Sequence, residues 1–211
     1  LDYAATPASG VYVHTVRDIY PGATSSAPDC LLEINGTLFF GATDDTHGRA
    51  LWKTDGTTAG TVMVKEINPT CYSPFGMMFV ELSGELYFNG VSASGDRELW
   101  KSDGTTAGTV MVKDIFPGSS GSNPSYLTYM NGLLYFVAND GVYGPELWRT
   151  DGTEAGTVIV KDTDIGGTQG PRNLINVNGT LYFSANTTYS GYELWKSDGT
   201  AAGTVMVKDI Y

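Results

Sequence analysis

Four aspartates recur in one kind of setting. Asp55, Asp103, Asp151 and Asp198 are each followed by Gly-Thr. Calcium prefers carboxylate and carbonyl oxygens, so calcium is the one cofactor these residues admit. One carboxylate per turn is a poor cage, and the ligand ladder of an EF-hand is absent. The same residues are what a tight turn demands: Asp accepts bonds from the backbone that follows it, and Gly supplies a positive φ. The turn reading is the stronger of the two. The two histidines, His14 and His47, fall in an opening strand and in a variable loop. No Ser/His/Asp or Cys/His arrangement can be assembled, and no Gly-rich loop precedes a helix, so no catalytic centre is expected. Cys30 and Cys71 belong to no CxxC pair, which leaves a zinc site without support. Trp52, Trp100, Trp148 and Trp195 have the chemistry of sugar-stacking platforms, yet each follows Leu in a strand with two apolar faces, which makes them core.

The elements that position these residues repeat. The tryptophans are spaced by 48, 48 and 47 residues, and each opens a copy of one segment: ALWKTDGTTAGT, ELWKSDGTTAGT, ELWRTDGTEAGT and ELWKSDGTAAGT. A period of roughly 40 to 50 residues is the mark of a repeat architecture. These copies resemble the ELWxxDGT repeats of large secreted or cell-surface proteins, mainly bacterial, and the match covers nearly all of residues 11–211. The resemblance implies an extracellular, propeller-like repeat protein with no established shared activity. The first copy departs at Ala50, where the others carry Glu.

Within a repeat the pattern predicts four strands. In the third, Ser125 to Met130 ends at Asn131-Gly132, a hairpin signal, and Leu133 to Ala138 returns. A loop from Asn139 to Pro145 leads to Glu146 to Thr150, and the DGT turn leads to Thr157 to Asp162. The second and fourth strands are apolar on both faces, as in Leu134-Tyr135-Phe136-Val137, so both sides of the sheet are covered. Four-stranded antiparallel units packed face to face are propeller blades. The fold class is therefore all-β: a β-propeller-type array of four four-stranded blades with an extra N-terminal strand. The expected boundaries are a lead-in and orphan strand at 1–22 and repeats at about 23–68, 69–116, 117–163 and 164–211.

Composition narrows the partners. The formal charge is −11 without a Lys/Arg cluster, which argues against nucleic acid and anionic membrane surfaces. No apolar run is long enough for a membrane helix. The residues that differ between repeats lie in the loops joining the second and third strands. These loops share a face with the crossings between blades, and a rigid scaffold with one variable rim is a usual arrangement for recognition. Asp45, His47, Arg49, Asp96, Arg97, Asp140, Tyr143, Tyr189 and Tyr192 are the candidate ligand-binding residues, for a glycan or another surface ligand. Asn186, in Asn-Thr-Thr, is a candidate N-glycosylation site in the fourth such loop. The expected function is a non-catalytic, lectin-like binding module. The rival is a structural protein that self-associates through its terminal strands.

Three geometric expectations complete the reading. Ser102 should face Thr109 across the DGT turn; counting outward puts Glu98, Glu146 and Glu193 opposite Lys113, Lys161 and Lys208 as ion pairs. Cys30 and Cys71, at consecutive blade entrances, should form a disulfide; the alternative is two small buried thiols. Residues 11–20 resemble a fourth strand without its first three. They should pair either with Tyr192 to Ser197, closing a ring, or with a strand from outside these repeats, of a neighbouring chain or of a longer array; the second version is favoured because the last repeat already owns a fourth strand.

Overall fold

The computed structural model describes residues 14–69, 79–92, 95–118, 120–142, 144–161, 170–187 and 191–210. The first blade is β1 (Asp29–Ile34), β2 (Thr37–Asp44), β3 (Gly48–Thr54) and β4 (Val62–Lys65), hydrogen-bonded in that order. The second has its first-strand position in two pieces, β5 (Asn68–Pro69) and β6 (Phe79–Leu82), both paired with β7 (Glu85–Val91), then β8 (Arg97–Ser102) and β9 (Val110–Lys113). The third is β10 (Ser125–Met130), β11 (Leu133–Asn139), β12 (Pro145–Thr150) and β13 (Val158–Lys161). The fourth is β14 (Arg172–Val177), β15 (Thr180–Thr187), β16 (Gly191–Ser197) and β17 (Val205–Lys208). Every pairing is antiparallel, as the four-blade reading requires.

The first hairpin of each blade turns on two residues of positive φ: Asn35-Gly36, Ser83-Gly84, Asn131-Gly132 and Asn178-Gly179. That is the turn whose twist matches paired strands. The side chains of Glu33, Glu81 and Asn176 brace three of these turns by accepting the backbone N–H of Gly36, Gly84 and Gly179.

Apolar residues on both strand faces form cores between blades. Ile34, Phe39, Leu51 and Val64 of the first blade meet Phe88 and Trp100 of the second. Leu82, Tyr87, Leu99 and Val112 then meet Phe136 and Trp148. Met130, Tyr135, Leu147 and Val160 meet Phe183 and Trp195. All four tryptophans are buried, which settles them as core.

The register across the DGT turn is half as expected. Ser102 and Thr109 do face each other, with their hydroxyls 2.7 Å apart and buried. Beyond them a bulge between Leu99 and Trp100 shifts the ladder, so that Lys113 pairs with Leu99 and not with Glu98. The same bulge lies at Leu147/Trp148 and Leu194/Trp195. No Glu–Lys pair of the expected kind exists among the described residues; an inserted residue re-aims every side chain beyond it. The bulge frees the lysines to point at the next blade.

The opening segment also differs from expectation. Residues 11–13 lie outside the described residues, and residues 14–20 form no ladder. They do not pair with β16, both of whose sides are taken by β15 and β17. They lie against the first blade as a strap. Arg17 donates to the Thr61 carbonyl and sits over the Trp52 ring, and Ile19 joins the cluster of Phe40 and Trp52.

Candidate functional site

The DGT motif builds one turn four times. Asp103 Oδ1 accepts the N–H and the hydroxyl of Thr105, at 2.8 and 2.7 Å. The Thr105 hydroxyl accepts the N–H of Gly108, and the Thr109 hydroxyl donates to the Thr105 carbonyl. Ser102 closes the ring by accepting the N–H of Gly104. The turns at Asp55, Asp151 and Asp198 carry the same bonds. The threonine bonds hold these four carboxyls below their ordinary value. The motif's second glycine is steric: a Cβ at Gly108 would lie 2.1 Å from Asp103 Oδ1. This geometry is turn chemistry, with the carboxylate oxygen committed to its own turn.

These turns are also acceptors for the preceding blade. Lys65, Lys113 and Lys161, each at the end of a fourth strand, donate to the carbonyls of Thr109, Thr157 and Thr204. Each lies 5.8 to 5.9 Å from the centroid of the next blade's tryptophan, at Trp100, Trp148 and Trp195. Lys53 and Arg149, on third strands, reach the carbonyls of Gly104 and Gly199. The unvarying face of the repeat is therefore spent on joining blades.

Glu98, expected to pair with a lysine, is buried and staples the crossing instead. Its carboxylate accepts the N–H groups of Phe116 and Ser122 and the Ser122 hydroxyl. Burial pushes its carboxyl up, against the lowering effect of those bonds. Glu193 accepts the N–H of Ile210, in the segment that follows β17. Sequence reasoning missed this role; its one signal was that Glu is replaced at Ala50 while the lysine partner, Lys65, is kept.

The opposite rim is where the blades differ. Crossings and second-to-third-strand loops share this face: Thr43 donates to Ser26, Asn139 to Ser122, and Asn123 to Arg97. Asp45 and His47 are exposed on the first loop. Asp44 orders that loop by accepting the N–H groups of Thr46 and His47 and contacting His47 Nδ1 at 2.8 Å. That contact raises the His47 pKa. Arg49 stands on β3, ion-paired with Asp29 and bonded to the Pro69 carbonyl. Asp96 is buried, and burial raises its pKa, with Asp114 adding to the effect. Arg97 is exposed at the start of β8. Asp140 forms a turn with Val142. Tyr192 is exposed on β16 with the Arg172 guanidinium 5.1 Å from its ring centroid. Tyr143 and Tyr189 lie outside the described residues. Asn186, expected in a loop, stands on β15 opposite Tyr192, because the strands run further into the loops than the turn residues suggested. The structure thus brings Arg172, which the sequence did not single out, to Tyr192, and leaves the other described candidates spread along the rim. Cys30 is disulfide-bonded; Cys71 lies outside the described residues.

A groove of about 330 Å³ lies between the first strands of the second, third and fourth blades, lined by Val80, Tyr126, Tyr129, Leu174 and Ile175. Its polar groups are spent in linking blades: Asn176 donates to the Tyr129 carbonyl and Thr128 to that of Leu174.

No family model matches the chain, and no curated protein does. Among solved structures, a puromycin hydrolase resembles it with a TM-score of 0.53 and 16% identity, over 85% of this chain and 29% of its own. A puromycin-hydrolyzing peptidase of Mycobacterium tuberculosis does so with a TM-score of 0.52 and 11% identity, over 89% and 30%. The chain spans less than a third of either protein. At such identities the likeness is one of fold: the neighbours are β-propeller proteins, and this chain is a propeller-type array of four antiparallel blades.

Proposed function

We propose that the chain is a non-catalytic, extracellular recognition module of the ELWxxDGT kind, taking a glycan-like ligand on its variable rim. One contrast carries the reading. The repeated side chains are consumed in turns and blade joints, whereas the rim presents exposed side chains that differ from blade to blade: Asp45, His47, Arg97 and Tyr192. Carboxylates, a guanidinium and an aromatic face are the groups that bind sugar hydroxyls and sugar rings. The disulfide at Cys30 fits an oxidising compartment. The test is a glycan array probed with the intact chain, followed by Arg97→Ala and Tyr192→Ala. Binding should fall in both variants and persist in Thr153→Val, on the turn face. Binding that survives both rim substitutions, or no glycan bound at all, overturns the reading.

A further inference from the structure

The exit face of the fourth blade carries the same slots that meet a neighbour in each earlier blade. Leu51, Leu99 and Leu147 are 0% exposed beneath the next blade; Leu194, in the same slot, is 44% exposed. Val64, Val112 and Val160 are 4 to 7% exposed, against 46% for Val207. Ile67 and Ile115 are 5 and 6% exposed, against 74% for Ile210. Two cations share this face. Lys208 continues the series Lys65, Lys113, Lys161, and Lys196 continues Lys53 and Arg149; both are exposed. In every earlier blade these slots meet one kind of surface, a buried tryptophan beside a DGT turn whose carbonyls accept the cation.

Among the described residues one more surface of that kind is present, the entry face of the first blade, with Trp52 and the Thr61 carbonyl. The strap now occupies it. Arg17, Asp18 and Ile19 align with Lys113, Asp114 and Ile115, and Thr58 donates to the Val16 carbonyl as Thr106 does to that of Val64. The strap is a thin substitute. Its described residues supply one cation and one packed apolar side chain, Ile19, and leave Val16 42% exposed where Val64, Val112 and Val160 are buried.

We propose that the exit face of the fourth blade docks on the entry face of the first blade of a second copy, with Lys208 taking the place of Arg17 on the Thr61 carbonyl and Trp52. The joint repeats the three within the chain, so its chemistry is already complementary: apolar slot to tryptophan, cation to turn carbonyl. It is heterologous, one face meeting a different one, so copies add head to tail until a ring closes. The strap competes from within the same molecule, where its effective concentration is high, and so restrains association. This reverses the expectation that the opening segment itself forms the bridge between chains.

Sedimentation velocity over a range of concentrations tests it. Weakening the strap with Arg17→Ala and Ile19→Ser should raise the association constant at least about tenfold, because the competitor is lost. Adding Val207→Asp should lower it by about a hundredfold, since a charge then faces a tryptophan pocket. Arg17→Lys should behave as the parent chain. Thermal melts followed by tryptophan fluorescence check that each variant is folded, and the blade tryptophans report on this directly. A strap variant that is folded yet no more associated than the parent overturns the proposal. So does association that Val207→Asp abolishes but the strap leaves unmoved, because that is an exit-face-to-exit-face dimer. A monomer throughout overturns it too.

Discussion

Gly108 and Asp103 form a steric lock whose two halves are separable by mutation. Gly108→Ala places a methyl 2.1 Å from Asp103 Oδ1 and 2.2 Å from its Cγ, so the carboxylate must leave the turn. It then loses the Thr105 N–H and hydroxyl, at 2.8 and 2.7 Å. Asp103→Ala loses the same two bonds. A capping carboxylate of this kind contributes about 1 to 2 kcal/mol, towards the lower end because solvent screens the charge. Each single variant should therefore be destabilised by about that much. The double variant should be no worse than either, since the interaction can be lost only once. The sign should even reverse. On the Asp103→Ala background the methyl meets no carboxylate, and Gly108 has no positive φ to protect. Alanine then stabilises by about 0.4 to 1 kcal/mol through the unfolded chain. Urea unfolding of the four proteins, read by tryptophan fluorescence, gives the cycle. Losses that simply add would show that the glycine serves something other than the aspartate.

Three further outcomes follow from the same geometry. Asp55, Asp103, Asp151 and Asp198 sit below their ordinary 3.8, so the stability they give above that pH is lost as pH falls through their folded values; Glu98 is raised above 4.5, so its share is present below 4.5 and lost as pH rises. Glu98→Gln should flatten the second slope and leave the first, as urea midpoints between pH 3 and 7 would record. Lys113→Met keeps the stem but loses the Thr157 carbonyl and the Trp148 ring, for a loss of about 1 to 2 kcal/mol, whereas Lys208→Met should change the melting of the monomer little; equal losses would refute the joint. Cys71 is the proposed partner of Cys30; closing a loop of about 40 residues stabilises by about 4 kcal/mol in the chain-entropy model, and two thiols titrating in unreduced, unfolded protein would disprove the pairing.

The blade count, the strand order and the buried tryptophans were legible because they rest on periodicity, and a repeat seen four times averages out local ambiguity. The DGT turn was legible for the same reason. The Glu98–Lys113 pair was misread because a bulge leaves no mark in composition: Val110-Met111-Val112 reads as an ordinary strand, and only the third dimension shows the register shift at Leu99. The roles of Lys113 and Glu98 were hidden because their partners, Thr157 and Ser122, lie in the next blade and in a crossing, and contacts between units do not show in the pattern of one. The rim was legible as variable but not as a site. Asp96 turned inward and Arg49 was claimed by Asp29, choices that depend on neighbours the sequence does not place.

The joint made by lysine, turn carbonyl and tryptophan has a consequence for how such a protein can change length. Each repeat carries both halves of the joint, a plug on one side and a socket on the other. An in-frame duplication of one repeat therefore inserts a part that already fits its neighbours, and a deletion of one removes a plug and a socket together. Neither event calls for a compensating substitution. A cut that falls inside a repeat leaves an unmatched half. Growth by whole units is thus the accessible path for this architecture, and the near-identity of the ELW and DGT segments is the record such copying would leave.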